Sequence, residues 1–157
     1  MVVDMFLKID GIPGESSDAS HKDEIDLLSY TWGESQTQPA TPSGTGGRAN
    51  SQVTMQDFHL TMHVNKASAK LFLACANQAH IKNAILTVRR PGAGALEFLK
   101  WTLTDVTVAS YQTTSNIPTG DPPTDQVSLR FAKIEVEYKS TKPDGSLDAP
   151  INASWDL

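Results

Sequence analysis

The sequence predicts a mainly β protein, an antiparallel β-barrel with one flanking α-helix and long loops. Apolar and polar residues alternate with a period of two in several long segments, as half-buried strands require. One stretch, residues 65–78, carries apolar side chains at helical spacing instead. Several long strands favour a curved sheet that closes on itself, because closure removes the edges that invite aggregation. A β-sandwich is the alternative architecture.

The size and composition of the chain predict one globular domain, residues 1–157. A chain of 157 residues buries a core without disulfides, and 39% apolar with 20% charged residues is ordinary for a globular protein. Cys75 is the single cysteine, so no intramolecular disulfide can form. This usage is typical of a protein that folds in a reducing cytoplasm.

Charge and hydropathy exclude two classes of partner. The net charge is −5, and no basic run exceeds the pair Arg89-Arg90, which argues against nucleic-acid binding. Residues 1–11 place Asp4 and Lys8 among apolar residues without a basic leader, so we expect no signal peptide. No apolar segment approaches the roughly 18–20 residues of a membrane helix. We therefore expect no membrane insertion, and export would need a dedicated machine.

The first two predicted strands occupy residues 3–9 and 23–35. In the first, Val3, Met5, Leu7 and Ile9 alternate with Asp4, Phe6 and Lys8, and the strand ends at Gly11. The second strand has two unlike faces, one bulky and aromatic, the other small and polar towards its end. The bulky face comprises Leu28, Tyr30 and Trp32, and the other face comprises Leu27, Ser29 and Thr31. This asymmetry predicts a packed core on one side and a wetter environment on the other.

The middle of the chain contains a long loop, a third strand and the helix. Residues 37–51 are rich in Pro, Gly, Ser and Thr, and loops of this length are usually functional or mobile. A strand begins at residue 52, and its apolar face changes parity near Asp57, which predicts a β-bulge. The helix follows at residues 65–78, with Asn65 or Ser68 as its N-terminal cap.

Four further strands complete the predicted fold. A strand at residues 81–90 turns through residues 91–94 into a long strand at 96–111, because one Pro and two Gly in such a gap favour a hairpin. The remaining elements are a loop at 115–125, a strand at 127–138 with a parity change near Ala132, a turn at 142–145 and a terminal strand at 151–155.

The histidines and acidic residues do not gather into a site. His59 and His63 are four residues apart on a predicted strand, which separates them by roughly 13 Å, too far to share a metal ion. His21 lies beside a loop with no second ligand at a recognisable spacing. Asp23 and Asp26 fall on opposite faces of their strand, so we interpret this segment as a solvated acidic edge or a salt bridge between subunits.

No residue pattern predicts catalysis. Cys75 has no neighbouring base that would lower its pKa, and we interpret it as a small core residue. The Gly-rich segments at residues 44–47 and 92–94 do not continue into the Gly-Lys-Ser/Thr of a phosphate loop. The three tryptophans do not cluster with basic residues, so core packing is expected for all of them. The sequence therefore predicts no enzyme activity, no metal site and no cofactor.

Five short segments resemble one protein family in their order along the chain. They are MFLKI at residues 5–9, GES at 14–16, HKDEID at 21–26, WG at 32–33 and LAC at 73–75. Together they resemble the Hcp (haemolysin-coregulated protein) family, the tube proteins of the bacterial type VI secretion system. The resemblance covers nearly the whole chain.

The resemblance implies a β-barrel subunit with a flanking helix that assembles into a homohexameric ring. Rings stack into a tube, which a contractile sheath propels into a neighbouring cell with a spike protein at its tip. The lumen also holds small effector proteins, so the subunit serves as carrier and chaperone. The implied location is the bacterial cytoplasm, followed by secretion through the type VI system without a signal peptide.

Two sets of residues follow as candidate sites. Ser29 and Thr31 are predicted to line the lumen, because a lumen that accepts several cargoes should lack large apolar patches. In the family, the first long loop contributes to contact between rings, and here it lacks the glycine run of many members. The predicted stacking residues in this loop are Pro39, Thr41, Ser43, Gly46 and Arg48.

A monomeric β-barrel that binds a small ligand is the alternative function. It would need no ring, so the mass in solution distinguishes the two. The aromatic and aliphatic side chains on the inward strand faces suffice to fill a small barrel, which argues against this alternative.

Overall fold

The computed structural model of the protein describes residues 3–37, 52–91 and 96–157. Within these ranges the chain forms eleven strands, one α-helix and a turn of 3-10 helix at Ile117–Thr119. The strands are β1 (Asp4–Ile9), β2 (Ile25–Asp26), β3 (Ser29–Thr31), β4 (Glu34–Thr37), β5 (Gln52–Met55), β6 (Phe58–His63), β7 (Ile81–Arg90), β8 (Leu96–Thr114), β9 (Thr124–Arg130), β10 (Lys133–Tyr138) and β11 (Ile151–Asp156), and the helix is α1 (Ser68–Ala76).

Strand β8 is the element that organises the fold, because its two halves belong to two different sheets. Its first half pairs with β7 on one side and β10 on the other, while its second half, from Thr107, pairs with β9. The first sheet therefore has the order β2-β1-β7-β8-β10-β11, and the second has the order β8-β9-β6-β3. All these pairings are antiparallel. Asp105 lies between the halves with a φ of 54°, where the strand turns from one sheet to the other.

Within the described ranges, the two sheets meet at β8 but do not close into a continuous barrel. The hydrogen-bonded order ends at β2 on one side and at β3 on the other. Leu27 and Leu28 connect these two short strands through the chain, donating backbone hydrogen bonds to Met5 at 3.0 Å and Thr61 at 2.8 Å. The predicted class, a mainly β antiparallel fold with one helix, is confirmed, whereas closure of the barrel is not seen.

Three predicted strands are each divided in the structure. Residues 23–35 form β2, β3 and the start of β4, because the chain leaves β1 and joins β6 after Leu27. The parity change near Asp57 separates β5, which pairs with β4, from β6, so the predicted bulge is wrong. The change near Ala132 separates β9 from β10, which pair with different halves of β8. In each case the chain changes its partner strand at the break, and no distortion within a single strand is needed to explain the pattern.

Helix α1 is shorter than predicted and lies across β8. Ser68, Leu71 and Ala74 face the core, while Phe72 and Leu73 face outwards. The cap position is occupied by Ala67, which has no capping side chain. Asn65 contributes from two residues earlier, since its Oδ1 accepts the Ala67 N–H at 2.7 Å.

The core lies between the two sheets and beneath α1. Tyr30 stacks on Phe58 with ring centroids 5.5 Å apart, and the edge of Trp101 meets Phe58 at 6.0 Å. Burial of this aromatic and aliphatic set supplies the main favourable free energy of folding. The most deeply buried large side chains are Ile25, Phe58, Met62, Leu71, Leu86, Val106, Val127 and Leu129.

Candidate assembly surfaces

The second sheet presents an outer face made of polar side chains, which we call the polar face. One cross-strand row joins Ser29 and Thr61 to Gln126 and Gln112. The full set is Ser29, Thr31, His59, Thr61, His63, Ser110, Gln112, Thr114, Thr124 and Gln126, and the buried Ser128 lies between His59 and Ser110 in a second cross-strand row. The alternate residues of the same strands, such as Leu60, Val127 and Val108, are buried in the core. Strand periodicity thus separates a dry side from a wet side.

The polar face contains both residues that were predicted to line a lumen. Ser29 and Thr31 are exposed, and they lie opposite Thr61 and His59 of β6. An ion pair between Asp57 and Arg130, with a Nε–Oδ1 distance of 3.6 Å, lies at one end of the face. A shallow depression of about 350 Å³ crosses its centre. The predicted stacking residues, Pro39, Thr41, Ser43, Gly46 and Arg48, lie outside the described residues.

A groove lined by tryptophans opens where the first sheet extends beyond the core, and we call it the Trp groove. Trp155 of β11 lies opposite Ile134 of β10, on the core-facing side of the sheet. Its side chain is nevertheless 55% exposed, so the prediction of core packing is wrong for Trp155. The groove has a volume of about 320 Å³. It is lined by Trp32, Glu34, Met55, Trp101, Ile134, Val136, Ala153, Ser154 and Trp155.

The outer side of α1 is a second apolar surface. Phe72 and Leu73 are 59% and 57% exposed, although large apolar residues are normally covered. The edge of the Phe72 ring meets Tyr111 at 6.2 Å, so the strand beneath supports it. Residues 64–82 include lysines but no acidic residue, which makes this surface cationic as well as apolar.

His21 anchors the loop before β2, an arrangement that the sequence did not reveal. Its ring stacks on Phe6 with centroids 4.4 Å apart and 7° between the planes. Its Nδ1 lies 2.7 Å from Glu24 Oε2, and its Nε2 lies 2.5 Å from Glu97 Oε1. Burial disfavours the charged ring, but the hydrogen bonds to Glu97 and Glu24 outweigh it and raise the pKa of His21.

Arg89 forms a second charged cluster that also contacts the Phe6 ring. Its guanidinium lies 4.8 Å from the centre of the Phe6 ring and binds both carboxylate oxygens of Asp18, at 2.9 and 2.8 Å. A further hydrogen bond reaches Asp4 at 3.2 Å. The hydrogen bond from Arg89 lowers the pKa of Asp18 to about 2. Burial, together with the charges of Asp4 and Asp18, raises the pKa of Asp26.

Asp23 and Asp26 are exposed, as a solvated acidic edge predicts, whereas Glu24 has a partner within the chain. Glu24 binds His21 within the same subunit, and Asp23 occupies a turn with a φ of 62° rather than a strand. The long-range partners in the two clusters lie on β7 and β8, about seventy positions away, for which the spacing along the chain gave no signal. Phe6 occupies one of the polar positions of β1, and this was the one sequence feature that indicated a covered outer surface on this strand.

A buried carboxyl group fixes α1 to the second sheet. The side chain of Asp125 is fully buried, and it accepts hydrogen bonds from Ser68 at 2.6 Å and from Tyr111 at 3.0 Å. Burial and the bond to Asp125 raise the pKa of Tyr111. The contact orients the helix that carries Phe72 and Leu73.

The described ranges contain no group of three His, Cys, Asp or Glu side chains able to hold a metal ion. His59 and His63 project from the polar face on either side of Thr61, as the strand spacing predicts. In the same part of the chain, no helix is long and apolar enough to cross a membrane. The features that distinguish this molecule are therefore surfaces: the polar face, the Trp groove and the outer side of α1.

Comparison with known proteins assigns the chain to a family. The family model described as "Type VI secretion system effector, Hcp" matches residues 6–138. The chain belongs to the Hcp family. Protein hcp1 of Pseudomonas aeruginosa is 37% identical to this Hcp chain over 159 aligned positions, covering 100% of the chain and 96% of hcp1. The family consists of secreted components of the type VI system, and the predicted resemblance is confirmed.

Solved structures agree with the fold of this Hcp chain. The crystal structure of Hcp1 from Salmonella typhimurium has a TM-score of 0.77 at 33% identity, covering 99% of this chain and 95% of that one. A structure described as a type six secretion system protein has a TM-score of 0.90 at 26% identity, with coverages of 99% and 96%. Strand β11 and Trp155 follow the last residue that the family model matches.

Proposed function

We propose that this Hcp chain is the structural subunit of a type VI secretion tube. In this proposal six copies form a ring, rings stack into a tube, and a contractile sheath propels the tube beneath a spike protein. The subunit folds in the bacterial cytoplasm and leaves through the secretion system. Its function is structural, and no catalytic residue is assigned.

The polar face is the observation that carries the proposal. The outer face of a sheet in an isolated protein is also polar, but it normally includes charged side chains. This face consists of Ser, Thr, Gln and His instead. A tube needs such a surface, because its inner wall must stay wet and must not trap one client. The lumen assignment for Ser29 and Thr31 extends to the whole polar face, including Gln126 and Gln112.

The edges of the second sheet support ring formation. In the part of the chain that the structure describes, β3 pairs with β6 alone, and the second half of β8 pairs with β9 alone. An unpaired edge normally invites association. Two different edges on one subunit suit a head-to-tail ring, in which each copy presents unlike surfaces to its two neighbours.

The lumen would carry small effector proteins with polar surfaces. Hydroxyl and amide groups on the polar face offer both donors and acceptors, so they can bind varied cargoes without a fixed charge pattern. The monomeric ligand barrel has less support. The space between the sheets is occupied by Phe58, Met62, Leu129 and their neighbours, and the groove and the depression both open at the surface.

The mass in solution tests the ring. Light scattering after size exclusion should give about six times the subunit mass of 17.0 kDa, and negative-stain images should show closed rings. A monomer at high protein concentration would contradict the proposal.

A site-specific label tests the lumen separately. In a Cys75→Ser background, Thr31→Cys is labelled with a gold maleimide and the rings are imaged. Gold density should appear inside the ring, and unlabelled Cys75→Ser rings provide the baseline. Gold density on the outer rim would contradict the assignment of the polar face to the lumen, but it would not contradict the ring itself. Thr31→Trp should then preserve rings but lower the amount of co-purified effector, whereas Thr141→Trp, exposed but off the polar face, should not.

A further inference from the structure

Among the residues that the structure describes, two apolar surfaces are exposed, and they differ in charge. The Trp groove ends at Glu34, which is exposed at its rim. The outer side of α1 presents Phe72 and Leu73 beside the exposed Lys66 and Lys70. Large exposed apolar patches with polar borders mark interaction sites in folded proteins.

The groove is built to receive an apolar side chain. The Trp32 and Trp101 rings are tilted against each other with centroids 5.4 Å apart, and they form its inner wall. The indole N–H of Trp32 is already bonded to the Gln56 carbonyl at 3.0 Å, so this wall is fixed and its polar atom is satisfied. Trp155 closes the outer side from β11. Rigid aromatic walls around a desolvated space are the usual setting of an interface hot spot.

The helix surface has the matching properties. Asp125 fixes its beginning through Ser68, and Tyr111 supports Phe72, so the apolar pair is held in position. Lys70 is exposed and lies one helical turn before Leu73, so the two side chains are neighbours on the helix surface. No acidic residue between residues 64 and 82 offsets its charge.

We infer that α1 of one subunit seats Phe72 and Leu73 in the Trp groove of a second copy, with Lys70 facing Glu34. The occupant is a second copy because the two surfaces are complementary. One is an apolar groove with a carboxylate at its rim, the other is an exposed apolar pair beside lysines, and each subunit carries both. Contacts between unlike surfaces are head-to-tail and close into a ring when the rotation allows. The inference rests on the proposed ring and names the contact that forms it.

Reversing the charges tests the pairing. Lys70→Glu places two carboxylates together at the contact, and Glu34→Lys places two ammonium groups together, so each variant alone should weaken the contact about tenfold or more. An equimolar mixture of the two variants should reassemble, because every contact then joins opposite charges in an alternating ring. Assembly is measured by light scattering over a dilution series. When Leu73→Asp is added to both charge variants, neither the separate proteins nor their mixture should form rings.

Matched controls separate the two proposals. Lys142→Glu and Glu15→Lys reverse exposed charges outside both surfaces and should leave the rings unchanged. Circular dichroism checks that every variant folds. A wild-type monomer would overturn the ring and this contact together. If the wild type forms rings and the variants Lys70→Glu, Glu34→Lys and Leu73→Asp form them equally well, the contact is wrong but the ring stands. The same conclusion follows if the mixed charge variants fail to reassemble.

Discussion

His21 Nε2 lies 2.5 Å from Glu97 Oε1, and this contact joins the loop before β2 to the start of β8. Glu24, within the same loop, binds the opposite nitrogen at 2.7 Å. The imidazole is therefore held between two carboxylates while it stacks on Phe6. Only the doubly protonated ring can donate to both partners, so the charge state of one histidine controls how firmly the loop is attached.

Stability should consequently fall as the pH rises above neutrality. The pKa of His21 is higher in the folded protein than its ordinary value of 6.5, so folding takes up a proton. This stabilisation is fully present below pH 6.5 and is lost as the pH rises through the folded pKa. Thermal unfolding measured between pH 5 and pH 9 should show the decline, since these limits span the titration range of histidine.

His21→Phe isolates the contribution of this ring. Phenylalanine keeps the stack on Phe6 but cannot titrate, so the decline above pH 6.5 should disappear. His80→Gln is the matched control, because His80 is an exposed histidine whose Nε2 lies 3.3 Å from Asp105 Oδ1. It should retain the wild-type pH profile. An unchanged profile in His21→Phe would assign the decline to another group.

Asp18 governs the acid side of the stability profile. Its pKa is lowered to about 2 by the hydrogen bond from Arg89, so the folded state favours the ionised form. This stabilisation is present above the ordinary pKa of 3.8 and is lost as the pH falls towards 2. In Asp18→Asn, unfolding by urea should depend less on pH between 4 and about 2. Asp144→Asn, in the exposed tail turn, tests a carboxylate whose pKa is lowered by Ser146 without an ion pair.

The sequence predicted the elements more reliably than their partners. Strand β7 has the predicted bounds, and the single helix lies inside the predicted range, because each depends on local periodicity. Residues 23–35 are predicted as one strand because the alternation continues across Leu27 and Leu28. The alternation of apolar and polar residues shows which face of a strand is buried. It does not show where the chain leaves one partner strand and pairs with another.

The candidate surfaces were predictable to different degrees. Ser29 and Thr31 were separated from the core by their small polar character, and the structure places both on the polar face. The Trp groove escaped prediction because Trp155 has the composition of a core residue. Its exposure results from its place on the last strand of the first sheet, beyond the reach of the second sheet, and only the tertiary arrangement determines that.

Gly14 should not tolerate a side chain. A Cβ at this position would lie 2.5 Å from the Glu24 carbonyl oxygen, which belongs to the backbone and cannot move independently. The Gly14 N–H also bonds to Asp23 at 2.8 Å, so the two chain segments are already in close contact. Gly14→Ala should lower the free energy of unfolding by about 1–3 kcal/mol in a urea titration.

Gly33→Ala provides the comparison for Gly14→Ala. The nearest atom to a Cβ at Gly33 is Gln56 Oε1, at an ordinary contact distance of 3.5 Å and at the end of a flexible side chain. Its effect should stay within about 0.5 kcal/mol. Equal effects at the two glycines would mean that the loss comes from the general preference for glycine rather than from the contact with Glu24.

The buried Asp125 should make Ser68 more important than an ordinary buried serine. The Ser68 hydroxyl donates to Asp125 at 2.6 Å and accepts the Asn65 N–H at 3.0 Å. Ser68→Ala leaves a buried carboxyl group with one donor fewer, which should cost about 1.5–3 kcal/mol of unfolding free energy.

Ser128→Ala is the matched control for this prediction. Ser128 is also buried, but its hydroxyl contacts the neutral hydroxyl of Ser110 at 2.5 Å. Its loss should cost about 1 kcal/mol. A double-mutant cycle of Ser68→Ala with Asp125→Asn should then show a coupling of at least about 0.5 kcal/mol. Additive effects would show that Ser68 acts through Asn65 alone, and that Asp125 does not fix the helix to the sheet.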